Sequence, residues 1–271
     1  ATLILTGISF VLNQLIKRSL NVVDNRGDPI DFFLLVVVIG VVLLGIFFTA
    51  LFFFMDSGTW ISSMFFHMMT AVLGLGVVMP WLYRLMQRNP LFWLFQFLFQ
   101  TQIRVYLLAY WTLLAASACA VVIYQNAKRS SGSKKHQASF ITRKYFHFIV
   151  VATYAPGLIY DRQLLYVAAV VCLAVFLVLE YIRYFRIKPF GHMLRNLLSL
   201  FLDERDSGPL ILTHIYLLLG MSLPLWLFPR PCAPKGTLAG AGALAPYSGV
   251  LAVGVGDSVA SIFGSTVGEI K

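Results

Sequence analysis

FFLLVVVIGVVLLGIFFTALFFFM, residues 32–55, holds no charged side chain and is followed at once by Asp56. A helix needs about 20 mostly apolar residues to cross the hydrocarbon of a bilayer, so this stretch is long enough to span. A helix also satisfies every backbone N–H and C=O within one segment, which lipid demands. The same reading repeats along the chain. Residues 60–83, from Trp60 to Tyr83, make another span with aromatic residues at its boundaries, where such rings anchor at the interface. Further apolar runs cover 105–124, 145–160, 163–182, 209–229 and a Gly/Ala-rich 237–255, and residues 1–16 are apolar up to Lys17-Arg18. Residues 91–103 are apolar but short, and read as interfacial, re-entrant, or one long tilted helix with the run 105–124. The expected fold is all-α: a polytopic transmembrane helical bundle.

Composition agrees. The 271 residues are 59% hydrophobic and 12% charged, with a mean hydropathy of +0.81. Soluble domains run at roughly 45–50% apolar and 25% charged. The net charge of +10 would suit nucleic acid. The basic residues, however, sit in short loops between apolar runs, where membrane topology puts them, so no nucleic-acid partner is expected. Three cysteines make no disulfide framework: Cys119 and Cys172 lie in apolar runs and Cys232 in a Pro-rich loop. No signal-peptide pattern is visible. Both ends read as cut, at Ala1 inside an apolar run and at Lys271 just after a Gly-rich one, so an internal fragment of a longer protein is expected. The chain reads as three regions: N-terminal transmembrane helices over 1–124, a basic cytosolic loop over 125–144 with a flexible Ser-Ser-Gly-Ser centre, and a transmembrane region over 145–271.

Topology gathers the polar segments. The positive-inside rule puts the basic loop 125–144 in the cytosol. Two crossings later the polar, amphipathic 183–208 returns to that side, and two more bring back 256–271. Arg143, Lys144 and His147 would then share one membrane face with the Asp203–Asp206 cluster and with Asp257. This parity requires 145–160 and 209–229 to cross, although both are short and contain proline.

Each constellation has a structural use and a chemical one. Gly256, Ala260, Gly264 and Gly268 recur every four residues, a common helix-packing stripe in membranes. Beside them stand Asp257, Glu269 and Lys271. Glycine lets backbone N–H groups approach a phosphate, and Ser258, Ser261, Ser265 and Thr266 add hydroxyls. Asp257 suits Mg²⁺, which takes one or two carboxylates plus phosphate oxygens. The P-loop pattern is absent. Arg143, Lys144 and His147 share a helical face where the loop meets the bilayer. Such residues serve as snorkelling anchors, but an ionisable histidine just inside a span is a functional candidate. Asp203, Glu204 and Asp206 form either a solvated turn or a metal or base site. Glu180 and His214 are buried and hydrogen-bonded, or belong to the site. His67 reads as structural and Asp56 as loop.

Together these pieces resemble a family. Arg143-Lys144-Tyr145-Phe146-His147, Glu180 with Arg183, Phe201 to Asp206, Thr213 to Leu217, and Gly256-Asp257-Ser258-Val259-Ala260 with Gly264 and Gly268 stand in the order found in the CTP-dependent polyprenol kinases, most closely the eukaryotic dolichol kinases. The resemblance covers roughly residues 140–271. It implies transfer of the γ-phosphoryl group of CTP to the hydroxyl of dolichol, at the cytosolic face of the endoplasmic reticulum membrane. The product would be dolichyl phosphate for protein glycosylation. It implies CTP and Mg²⁺ or another divalent cation as partners, and a CTP-binding segment beginning at Ser265 to Lys271 that is truncated here. Asp257, with Asp203 or Asp206, would hold the metal. Arg143, Lys144 and Lys271 would neutralise charge, and a carboxylate or His147 would take the alcohol proton. Gly256, Ser258, Gly264, Ser265, Thr266, Gly268 and Glu269 would line the nucleotide.

Rival classes make different demands. Phytol kinases and phosphatidate cytidylyltransferases look similar in the Gly-Asp region, and a cytidylyltransferase would release pyrophosphate rather than CDP. A transporter would suit the Gly/Pro-interrupted runs, but it predicts an internal repeat and ionisable groups at the membrane midplane. No repeat stands out, and the charges cluster at one face. A non-catalytic assembly subunit leaves Asp257 in its Gly-rich run without a purpose.

Overall fold

A computed structural model describes residues 29–130, 140–198, 212–227 and 244–266. Every element among them is helical. Asp203, Asp206, Gly268, Glu269, Lys271 and Cys232 lie outside the described residues.

The helices are α1 (Pro29–Phe54), α2 (Trp60–Leu73), α3 (Met79–Met86), α4 (Pro90–Phe99), α5 (Gln102–Ser130), α6 (Phe140–Tyr160), α7 (Arg162–Tyr184), α8 (Phe190–Leu198), α9 (Thr213–Leu227) and α10 (Asp257–Thr266). Wide π turns lie at Gly74–Val78 and Val250–Gly256, with a short 3₁₀ turn at Ala245–Tyr247. Among the described residues, four stretches are long and apolar enough to cross a membrane: Phe33–Phe54, Trp60–Met86, Gln102–Tyr124 and Arg162–Tyr184. The polytopic all-α architecture is as the sequence predicts. The apolar parts of α6 and α9, Tyr145–Tyr160 and His214–Leu227, are shorter helices. The run 91–103 is not continuous with its successor, because α4 ends at Phe99 and α5 begins at Gln102. The helices also advance into the basic stretch 125–144 from both sides, to Ser130 and from Phe140.

Prolines explain the local departures from regular helix. Pro80 has no N–H and its ring collides with the carbonyl four residues back, that of Gly76. The turn containing Gly76 is widened to π geometry, which accommodates the ring without breaking the span. Pro156 likewise leaves the Ala152 carbonyl without its helical donor. The Tyr110 hydroxyl of α5 donates to that carbonyl at 3.1 Å, and Trp111 Nε1 donates to the next one, Thr153 O, at 3.1 Å. A neighbouring helix thus supplies the hydrogen bonds that lipid cannot.

The chain divides into two compact units, residues 1–100 with 167–195 and residues 101–166 with 196–271. In the first, Leu44 and Phe48 of α1, Phe66 of α2, and Phe185 and Ile187 beyond α7 form an apolar core. The Phe48 and Phe66 rings lie 4.3 Å apart, and those of Phe52 and Phe185 4.7 Å. Gly45 gives α1 room beside Tyr181, whose hydroxyl reaches Val41 O at 3.4 Å. The Thr59 hydroxyl caps α2 by accepting from Ser62 N at 3.1 Å.

The same unit contains a buried ion pair. Arg183 donates through Nε and Nη2 to both oxygens of Glu180, at 2.7 and 2.5 Å. Both side chains are buried. Removing one partner strands the other charge in an apolar setting, which costs about 3–5 kcal/mol. Glu180→Ala is therefore expected to lower the thermal stability of the full-length protein in detergent strongly. Asp56→Ala, at an exposed position, should change it by no more than about 0.5 kcal/mol. Equal melting curves for the two variants would contradict this.

Candidate active site

The second unit is built around α6. Arg104 of α5 donates through Nε to Asp161 Oδ2 at 2.6 Å and reaches Gln163 Oε1 at 3.4 Å. Asp161 Oδ1 accepts from Leu164 N at 2.9 Å and so caps α7. Arg162 donates to Leu158 O and to the Tyr247 hydroxyl, each at 3.1 Å, with its guanidinium 5.2 Å from the centre of the Tyr247 ring. These contacts fix one end of α6. Tyr154 hydrogen-bonds Ser222 of α9, and near the other end the Tyr145 hydroxyl donates to Ser117 of α5 at 3.1 Å.

Against this helix lies the Gly-rich run. A Cβ on Gly249 would stand 2.6 Å from Met221 O and 2.8 Å from Gly220 O, both backbone atoms of α9. Gly220 O is the carbonyl that Pro224, four residues on, deprives of its helical donor. A Cβ on Gly254 would collide with the Val151 side chain of α6. One turn along α6 from Val151 is His147, and three residues beyond Gly254 is Asp257. The segments therefore meet in two successive contacts, Val151 with Gly254 and His147 with Asp257.

At the second contact His147 Nε2 lies 3.3 Å from Asp257 Oδ2. The histidine side chain is 23% exposed and the carboxylate 57%. Asp257 opens α10 directly after the π turn Val250–Gly256. The Asp257 N–H donates to Ala252 O, so the π turn runs on into α10 without a break. The site thus offers an accessible carboxylate held by a half-buried imidazole.

The other candidate residues are dispersed. Arg143 and Lys144 sit on α6 one turn before His147. Gly256 and Ser258 flank Asp257, the glycine exposed and the serine half-buried. Gly264, Ser265 and Thr266 fall in the second half of α10. Among the described residues, nothing lies within 4 Å of a Cβ built on Gly264, and only Leu251 O, at 3.4 Å, approaches one on Gly256. The glycines that seat the Gly-rich run against α9 and α6 are instead Gly249 and Gly254. The four-residue stripe in the sequence pointed elsewhere; the usable signal was a glycine one turn before the aspartate. Glu180 is paired with Arg183, His214 is half-buried near the start of α9, and His67 Nε2 contacts Lys188 O at 3.1 Å. Among the described residues, no three His, Cys, Asp or Glu side chains converge as a metal cage.

The chain has known relatives. A family model described as dolichol kinase matches residues 1–218 and 215–264. A Bos taurus protein named dolichol kinase is 79% identical over 272 aligned positions, covering 100% of this chain and 51% of its own length. The Homo sapiens protein of that name is 76% identical over the same coverage, and the Saccharomyces cerevisiae one 32% identical over 185 positions, 68% of this chain and 31% of its own. The chain spans about half the length of the mammalian relatives it matches. No solved structure matches it. With a multi-helix membrane architecture, two of the motif pieces in contact and a family model covering most of its residues, the chain belongs to the dolichol kinase family.

Proposed function

We propose that this chain carries part of the active site of a membrane kinase that moves the γ-phosphoryl group of CTP onto the hydroxyl of dolichol. The observation that supports this best is the His147–Asp257 contact, which unites two of the sequence pieces that carry the family resemblance. In the reaction, the bond from the γ-phosphorus to the β,γ-bridging oxygen breaks and a bond to the dolichol oxygen forms. CDP leaves, and the hydroxyl proton passes to a base. Such transfers depend on positioning and charge neutralisation far more than on covalent work by the protein.

The donor set fits a hard divalent cation. Mg²⁺ is commonly held by one or two carboxylates plus nucleotide phosphates, without a protein cage. Asp257 supplies one carboxylate, and Asp203 or Asp206 would supply a second. When bound, the cation neutralises charge on the phosphate oxygens. Gly256 and Gly264, where added side chains would meet little, would let the backbone approach the phosphates, with Ser258, Ser265, Thr266, Gly268 and Glu269 alongside. Arg143, Lys144 and Lys271 would stabilise the transferring group. The region 145–271 would then be catalytic, served from the cytosolic face of the endoplasmic reticulum. The dolichol tail stays in lipid while its hydroxyl meets the polar end of α6.

His147 would orient Asp257, donating from Nε2 to its carboxylate. His147→Ala should lower the rate of label transfer from γ-labelled CTP to dolichol by about 10²-fold, as expected when a ligand shifts by around 1 Å. His147→Gln, whose amide N–H can take the place of Nε2, should recover a substantial part of that loss. If glutamine is as inactive as alanine in well-folded protein, His147 acts as the base and not as the support of Asp257.

A further inference from the structure

The corner between α7 and α8 carries charges that the catalytic proposal does not use. Arg186 has a left-handed backbone, φ 55°, and Gly58, φ 86°, lies against its side chain. A Cβ on Gly191 would stand 2.6 Å from the Arg186 carbonyl carbon, so α8 leaves this turn tightly. Lys188 is fixed at three points: its N–H donates to Ser63 Oγ at 2.9 Å, its carbonyl contacts His67 Nε2, and its ammonium lies 5.3 Å from the centre of the Trp60 ring. Buried Ile187 pins the loop to the apolar core beneath.

Helix α8 continues the pattern. At 100° per residue Phe190, Met193 and Leu194 fall on one face and His192 and Arg195 on the other. Phe190 and Met193 are 51% and 54% exposed, and Trp60, Ile61 and Met64 beside the corner are also exposed. Arg186, His192 and Arg195 are exposed too. Among the described residues, no carboxylate pairs with Arg186, Lys188 or Arg195. Exposed apolar side chains at the end of two spans, with cations beside them, match a leaflet surface: acyl chains below, phosphates above.

We propose that this corner, formed by Arg186, Lys188 and Arg195 with Trp60 and the apolar face of α8, binds the head groups of anionic phospholipids. Each Lys or Arg at an anionic surface is worth about fivefold in binding. Charge complementarity favours such a lipid over a zwitterionic one.

The test uses the full-length protein in nanodiscs of equal parts phosphatidylcholine and phosphatidylserine, with lipid retained after detergent exchange counted by mass spectrometry. Wild type should retain phosphatidylserine selectively. Arg186→Gln with Arg195→Gln should reduce that preference by about tenfold or more, and Lys188→Gln by a few fold. Arg84→Gln with Arg88→Gln, at the far end of the α2–α3 span, should leave it unchanged. Equal retention of both lipids by wild type would overturn the proposal, as would equal losses in the two double variants. Dolichyl phosphate added as a competitor decides the source. If it is held through the same cations while phosphatidylserine is not, the corner is a product site and the phospholipid proposal fails.

Discussion

Asp257→Asn is expected to abolish transfer of label from γ-labelled CTP to dolichol, with a loss of at least about 10³-fold. The substitution keeps size and shape and removes the charge that a divalent cation needs. Asparagine can still accept from His147 Nε2, so the contact that places α10 against α6 can persist. Because the side chain is 57% exposed, stability should change by no more than about 0.5 kcal/mol. A large loss of activity with unchanged melting behaviour is thus the specific signature. A variant that retained a third or more of wild-type activity would remove Asp257 from the reaction.

The second large effect separates two kinds of glycine. Gly249→Ala would drive a methyl group into backbone carbonyls of α9, which cannot rotate away. Gly254→Ala would press on Val151, whose β-branched side chain has few rotamers. Overpacking of this kind costs about 1–3 kcal/mol and moves the helices that carry Asp257 and His147. Both variants should lose stability and activity together. Gly264→Ala meets no atom within 4 Å among the described residues, and alanine is the better helix former. It should leave stability unchanged or slightly raised. If Gly264 serves the close approach of a phosphate, activity alone should fall, by about tenfold or more, with most of the loss in the KM for CTP. Parallel stability losses at Gly249, Gly254 and Gly264 would make all three packing residues.

Apolar length was the part of the fold that could be read directly. Residues 32–55, 60–83, 105–124 and 163–182 become Pro29–Phe54, Trp60–Met86, Gln102–Ser130 and Arg162–Tyr184, because nothing but a helix suits such runs in lipid. The π turns were not legible. Pro80 is visible in the sequence, but a span can break, kink or widen around a proline, and periodicity does not distinguish the three. Donation from Tyr110 and Trp111 to the carbonyls near Pro156 is likewise a property of two helices together. At the site, His147 and Asp257 could each be singled out as an ionisable group at a membrane face. Their direct contact depends on Gly254 seating against Val151, a pairing no single-helix periodicity encodes. Glu180 illustrates the converse. Its place in an apolar run announces a partner, and Arg183 three residues on supplies it at 2.5 Å.

The most direct measurement compares CTP labelled at the γ-phosphorus with CTP labelled at the α-phosphorus, each given with dolichol to the full-length protein in detergent. The expected result is γ-label in the lipid and α-label in soluble CDP. Appearance of α-label in the lipid with release of pyrophosphate, or no transfer of either label by well-folded protein, would contradict a kinase acting through Asp257.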